Sequence, residues 1–315
     1  MSEHFVRPDV QAYLDLLKTI PRPPFSDDVM RMIRQMPPDA MPSPDLPVGD
    51  LGEQREVTMP GPGGEIRLKL FDVRAERAAS PVVVFYHGGG FVVGGIDTHA
   101  ALAAEISRGL DLPVVSVEYR LAPEHPWPAA PEDGEAAARW IAENGAAFGR
   151  SFTGIVLCGD SAGGNLTAVT AMALRNRPAA LPVLLQFAIY PLTDNTVEFE
   201  SFRLFSDGFG LDSADMAYFN KAYAIDPAHW QASPGIHDLT GVAPALVVTA
   251  GLDPLRDDGR LYAERLEAAG VPVRYREFEG TIHGFATYRL HIPSARDDLA
   301  EALALASAML TELAG

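Results

Sequence analysis

A chain of 315 residues, 47% hydrophobic and 21% charged, is long enough to bury a sizeable core, and it contains no apolar run of bilayer-spanning length. Its formal net charge of −17 excludes nucleic acid and anionic membrane surfaces as partners, because both demand a basic patch. One cysteine, Cys158, excludes an intrachain disulfide, and the acidic N-terminus has no secretory-type apolar segment, so the expected location is cytoplasmic, without membrane insertion.

Residues 1–50 read as a broken helical arm. Amphipathic patterns cover 10–20 and 27–35, and Pro-rich joints follow at Pro37-Pro38 and between Met41 and Pro47. From Gln54 the period changes to two, over Arg55–Met59 and Glu65–Asp72 around a Pro/Gly turn at 60–64, which predicts an antiparallel hairpin with one wet face. An apolar strand, Pro81–Tyr86, then runs into His87-Gly88-Gly89-Gly90-Phe91. A helix near 98–109, a strand over 113–119 and a helix over 131–144 follow. The strand Ile155–Cys158, a helix from Asn165 to Arg175 and a strand over 183–190 continue the alternation. Such alternation predicts an α/β fold, a mostly parallel sheet with helices on both faces and its chemistry at the carboxyl ends of the strands.

Residues 195–242 break that rhythm, being aromatic-rich and irregular, and are expected to form a cap insertion together with the arm. The core would then comprise 51–194 and 243–315. The second part adds a strand over 244–250, a helix over 259–269, a strand over 272–279 and a final helix over 294–313. Cys158, inside an apolar strand, reads as a core residue.

Between the strand ending at Cys158 and its helix lies Gly159-Asp160-Ser161-Ala162-Gly163, which fits the nucleophile-elbow pattern G-x-S-x-G. So sharp a turn requires strained backbone at Ser161 and flanking glycines where strand and helix approach. It lifts the hydroxyl into the open at a helix N-terminus, where developing negative charge is favoured. A Gly-rich turn with a capping serine is the plain alternative, and the flanking strand and helix argue against it.

A serine hydroxyl needs a base, and the base needs an orienting group. Of the histidines that follow Ser161, His229 and His237 fall in the irregular segment, and His291 lies near the last helix. Only His283 follows a core strand directly, in Gly280-Thr-Ile-His-Gly-Phe285. Asp253 is the favoured carboxylate because its strand is adjacent to that of His283, although Asp194 also follows a strand, and Asp253 could instead cap the helix that follows. Asp257 and Asp258 read as charges at that helix start. Donors for an oxyanion are expected from the Ala162 N–H and from the glycine loop at 88–90, with His87 bracing the loop rather than acting as a base. That loop lacks the Gly-Lys-Ser/Thr of a phosphate site.

Together, His87-Gly-Gly-Gly-Phe91, Glu118-Tyr-Arg-Leu-Ala-Pro-Glu124, Gly159-Asp-Ser-Ala-Gly-Gly164, Asp253-Pro-Leu-Arg-Asp-Asp-Gly259 and His283-Gly-Phe285 resemble the hormone-sensitive-lipase-like branch of the α/β-hydrolases, which includes many bacterial carboxylesterases. The resemblance implies an α/β-hydrolase fold, with Ser161 as nucleophile, His283 as base and Asp253 as its orienter. It also implies Gly89, Gly90 and Ala162 as oxyanion donors, and a helical cap from 1–50 and the insertion after the sixth strand. Glu118 and Arg120 read as a structural charge pair beneath the site. The expected activity is hydrolysis of short- to medium-chain carboxylic esters through an acyl-enzyme, with a small hydrophobic ester as substrate, no cofactor and no metal; a homodimer is admissible. An amidase or formamidase with the same triad, and a non-catalytic ligand receptor on this fold, are the alternatives.

Overall fold

Residues 81–86, 114–117, 155–160 and 245–252 are apolar at nearly every position, so both of their faces must be covered. In the computed structural model, which describes residues 4–20, 23–36 and 44–314, they form the centre of one sheet. Its strands are β1 (Glu53–Gly61), β2 (Gly64–Asp72), β3 (Ser80–Tyr86), β4 (Val114–Val117), β5 (Phe152–Asp160), β6 (Val183–Ile189), β7 (Ala245–Leu252) and β8 (Val273–Ile282). Their order is β1-β2-β4-β3-β5-β6-β7-β8. The hairpin of β1 and β2 joins antiparallel at one edge, and every pair from β4 onward is parallel.

The helices are α1 (Pro8–Thr19), α2 (Asp27–Gln35), α3 (Ala100–Leu110), α4 (Ala129–Glu143), α5 (Ala162–Asn176), α6 (Glu200–Phe205), α7 (Ser213–Tyr223), α8 (Arg256–Ala268) and α9 (Ser294–Ala314). Alternate side chains of the central strands feed two cores: Val83, Phe85, Val156 and Cys158 pack with α3 and α9, whereas Val82, Val84, Ile155 and Leu157 pack with α4 and α5. Cys158 is fully buried, as its apolar strand requires.

Several element limits move relative to the sequence reading. The helix after the elbow begins at Ala162, not Asn165, because Gly163 and Gly164 belong to its first turn. α4 begins at Ala129, before Pro131, and α8 begins at Arg256, before Gly259. In all three, glycine or proline near a helix start masked the first turn, where proline's missing N–H costs nothing. β8 extends to Ile282, which places its last residue directly before His283. The joint at Pro37-Pro38 and residues 41–43 of the second Pro-rich stretch lie outside the described residues.

The expected pair between Glu118 and Arg120 is not formed. Glu118 instead pairs with Arg67 at 2.9 Å and accepts from the Ile96 N–H at 3.1 Å. Arg120 forks onto Asp133, with both contacts at 2.8 Å. Residues two apart at the end of an extended strand project to the same side only while the strand continues; here β4 stops at Val117 and the chain turns.

A buried charge cluster at the far edge joins the hairpin to β5. Asp72, fully buried, accepts from Arg77 at 2.7 and 3.1 Å and from Arg150 at 2.9 Å, and both guanidinium groups are themselves nearly buried. Burial works against the Asp72 charge, but these donors and the Arg74 N–H hold its carboxyl below the usual range. Its contribution to stability is therefore present above the ordinary carboxylate pKa and is lost as the pH falls through the lower folded value. Asp72→Ala would strand two guanidinium groups and is expected to cost about 3–5 kcal/mol in urea unfolding at neutral pH. A loss below about 1 kcal/mol would show the cluster to be dispensable.

Candidate active site

The elbow is built from β5, the turn and α5. Ser161 sits at φ 54° and ψ −116°, a region that L-residues avoid, and its N–H donates to Ile189 O at 2.8 Å. Gly163 admits this turn: a Cβ there would overlap the carbonyl oxygen of Tyr86 on the neighbouring strand. The Ser161 hydroxyl consequently stands at the carboxyl end of the sheet, beside the first N–H groups of α5, which have no intrahelical acceptor.

Two other loops reach the same point. Asp253 follows β7 and is fully buried; its Oδ1 accepts from the Leu255 N–H at 2.7 Å. His283 follows β8, with Nδ1 2.8 Å from Asp253 Oδ2 and Nε2 2.9 Å from Ser161 Oγ. A carboxylate only accepts, so in the neutral ring Nδ1 carries the proton and Nε2 offers its lone pair to the serine hydroxyl. Tyr190, which follows β6 directly at φ 37°, lays its ring against the imidazole with centroids 4.7 Å apart.

The competing residues are engaged elsewhere. Asp194 spends one oxygen on the Thr196 N–H and hydroxyl and the other on Arg265 at 3.1 Å. His229 accepts from the Gln231 N–H, His237 Nε2 lies 3.0 Å from Ala228 O, and His291 stacks on Tyr13. Asp257 and Asp258 lie in the first turn of α8, as expected, yet Asp258 is buried. It accepts from the Thr193 N–H and hydroxyl and the Asp194 N–H, tying α8 to the loop after β6.

The glycine loop after β3 lies across the elbow. Gly89, Gly90, Ser161, Ala162 and His283 line one cavity of about 250 Å³. His87 is buried in neutral form: burial and the neighbouring His99 lower its pKa to about 3. Its Nδ1 donates to Gly88 O at 2.7 Å, and Tyr119, stacked on the ring, donates its hydroxyl to His87 O at 2.6 Å. The side chain thus braces the loop and does not face the serine.

Much of the rest of the wall comes from residues 195–242, and His99, Asp160, Asn195, Asp215 and Asn220 are polar members among its apolar ones. Leu211, Met216, Phe219 and Tyr223 line it, and Phe25 joins from the arm, tilted against Phe219 with centroids 5.1 Å apart. Phe219 lies directly over Gly90, leaving no room for a side chain there. Sequence reasoning gave no site role to Phe25, Phe219, Tyr190 or His99; the aromatic richness of the insertion was a hint of Phe219 alone. No described helix is long and apolar enough to cross a membrane.

Sheet order, elbow and converging loops define a hydrolase of the α/β class. The family profile described as alpha/beta hydrolase fold matches residues 83–287, and the chain belongs to that family, as the hormone-sensitive-lipase-like motifs implied. Esterase LipI of Mycobacterium tuberculosis is 38% identical over 292 residues, covering 90% of each chain. Carboxylic ester hydrolase LipN of the same organism is 42% identical over 257 residues, covering 78% of this chain and 67% of its own length. Among solved structures, an alpha/beta hydrolase enzyme from the metagenome of Lake Arreo superposes with a TM-score of 0.89 at 34% identity, covering 99% of both chains. The esterase of Pyrobaculum calidifontis superposes with a TM-score of 0.85 at 33% identity, covering 96% of this chain and 99% of its own.

Proposed function

We propose that this carboxylic ester hydrolase is a serine esterase in which Ser161 attacks the ester carbonyl, His283 moves the proton and Asp253 orients the imidazole. The observation that carries the reading is the continuous chain of contacts from Ser161 Oγ to His283 Nε2 at 2.9 Å and from His283 Nδ1 to Asp253 at 2.8 Å. As the hydroxyl attacks, its proton passes to Nε2, and the adjacent carboxylate stabilises the imidazolium that forms. Negative charge grows on the carbonyl oxygen, where the N–H groups of Gly89, Gly90 and Ala162 receive it. Nε2–H then protonates the departing alcohol, and a water deprotonated by the same nitrogen releases the acid from the acyl-serine.

Residues 1–50 and 195–242 act as the cap in this reading, since Phe25 and Phe219 roof the cavity. A space of about 250 Å³ lies below the ~300–1,000 Å³ of ordinary ligand pockets, which favours esters of short to medium acyl length. The apolar roof favours uncharged groups, and the net charge of −17 opposes anionic ones.

A fluorophosphonate probe tests the reading: labelling should occur and should vanish in Ser161→Ala, whereas an unlabelled wild-type protein would mark a ligand receptor. Hydrolysis of p-nitrophenyl esters of increasing chain length, with amide analogues alongside, then fixes the substrate class. Phe219→Ala is expected to raise the ratio of kcat/KM for decanoate over butyrate about tenfold, because added methylenes gain room over Gly90. An unchanged ratio would place the acyl chain elsewhere.

A further inference from the structure

Directly under the nucleophile lies a second charged pair. Asp160 is the residue before Ser161 and is buried; its Oδ1 accepts from the Gly88 N–H at 2.8 Å, tying the glycine loop to the elbow. Its other oxygen faces His99 Nε2 at 3.6 Å, an ion-pair separation too long for a hydrogen bond. His99 directly precedes α3, with no side-chain bond to the helix start, and lines the same cavity as Ser161 and Gly89. Thr98 Oγ1 is 3.0 Å from Gly95 O, to which it donates, and 2.9 Å from His99 Nδ1. With that hydroxyl proton spent on Gly95 O, Nδ1 must donate to Thr98, and a proton at Nε2 as well is needed to meet the Asp160 carboxylate.

We infer that a protonated His99 neutralises Asp160, so that the ester's oxyanion develops beside a compensated pair instead of a bare buried carboxylate, making His99 a positioning and charge-compensating residue for the reaction. The inference rests on the serine-esterase reading above. An uncompensated anion next to the oxyanion donors would oppose the charge that those donors exist to stabilise, in a site where water does not screen it.

The surroundings of His99 agree. Burial pushes its pKa down, but attraction to Asp160, contact with it and the more distant Asp45 leave it above the ordinary histidine value. Asp160, despite burial, is held below the usual carboxylate range by His99 and the Gly88 N–H. The other groups that face the pair are His87, kept neutral with its ring centroid 5.4 Å from that of His99, and Asp45, which is clasped by Arg289 at 2.7 and 2.8 Å. Tyr119 and Tyr190 flank Asp160 as neutral phenols, their pKa values pushed well up by burial. A histidine with a raised folded pKa keeps its charge below that value and loses it as the pH rises through it, so kcat should fall on the alkaline side.

The test is kcat and KM for a short p-nitrophenyl ester across pH in wild type, His99→Gln, Asp160→Asn and the double variant. His99→Gln should lose the alkaline limb and lower kcat about 10- to 100-fold with KM little changed, since the bare Asp160 charge remains and the loop is free to shift. Asp160→Asn still accepts from the Gly88 N–H, removes the charge and should lose less than His99→Gln. The double variant should recover to the Asp160→Asn level. Rescue of that kind is beyond a merely structural role; a double variant as poor as His99→Gln, or an alkaline limb that survives it, overturns the inference. Should a variant fail to fold, the ¹⁵N resonances of His99 in wild type decide: two protonated ring nitrogens at neutral pH are expected, and one overturns the proposal. Fluorophosphonate labelling of Ser161 is independent of all these outcomes, so failure of the esterase reading is distinguishable.

Discussion

Ser161→Ala is expected to lower kcat by about 10⁶-fold towards short p-nitrophenyl esters, the scale found when the nucleophile of a serine triad is removed. The size follows from what disappears: without Oγ there is no acyl-enzyme, and His283 has no proton to accept. The oxyanion donors and the cavity survive, so a residual acceleration of about 10³- to 10⁴-fold over water should remain. The fold should survive too. Alanine tolerates φ 54° about as badly as serine does, and the N–H of residue 161 still donates to Ile189 O. A thermal midpoint within a few degrees of wild type would separate lost chemistry from lost structure. A decrease smaller than about 100-fold would mean that another group does the attacking.

Asp253→Asn is expected to lower kcat by about 10⁴-fold with the geometry intact. The reason lies in the second oxygen of this carboxylate. Oδ1 accepts from the Leu255 N–H at 2.7 Å, so an asparagine must keep its carbonyl oxygen there and turn its NH₂ towards His283. That NH₂ donates to Nδ1 and forces the ring proton onto Nε2. The nitrogen facing Ser161 then has no lone pair with which to take the hydroxyl proton. Measured kcat within tenfold of wild type would remove Asp253 from the mechanism. The Asp194 alternative makes the opposite prediction, and its engagement with Thr196 and Arg265 leaves it no oxygen for an imidazole.

Much of this architecture was legible in the chain itself. Unbroken apolar runs such as Val82–Tyr86 and Ile155–Cys158 can satisfy solvent and backbone at once only as strands covered on both faces, and their alternation with helices implied a parallel sheet. The elbow was legible because Ser161 and its flanking glycines sit within a few residues of one another, where local sterics alone decide the conformation. Asp253 and His283 were picked out by position, each directly after a core strand, and the structure places the two side chains 2.8 Å apart. Helix starts at Ala129, Ala162 and Arg256 were set a few residues late because glycine and proline, poor within a helix, are tolerated in its first turn.

The order of the elements, and a short set of candidate side chains for the sheet's carboxyl edge, follow from short-range periodicity and from which side chains can carry a proton. Which charge answers which follows from packing: Glu118 turned to Arg67, Arg120 to Asp133, and His99 to Asp160, across separations of 13 to 61 residues. Every arginine and aspartate offers the same charge to all partners of opposite sign, so the choice among them is made by the packing that brings two side chains within reach.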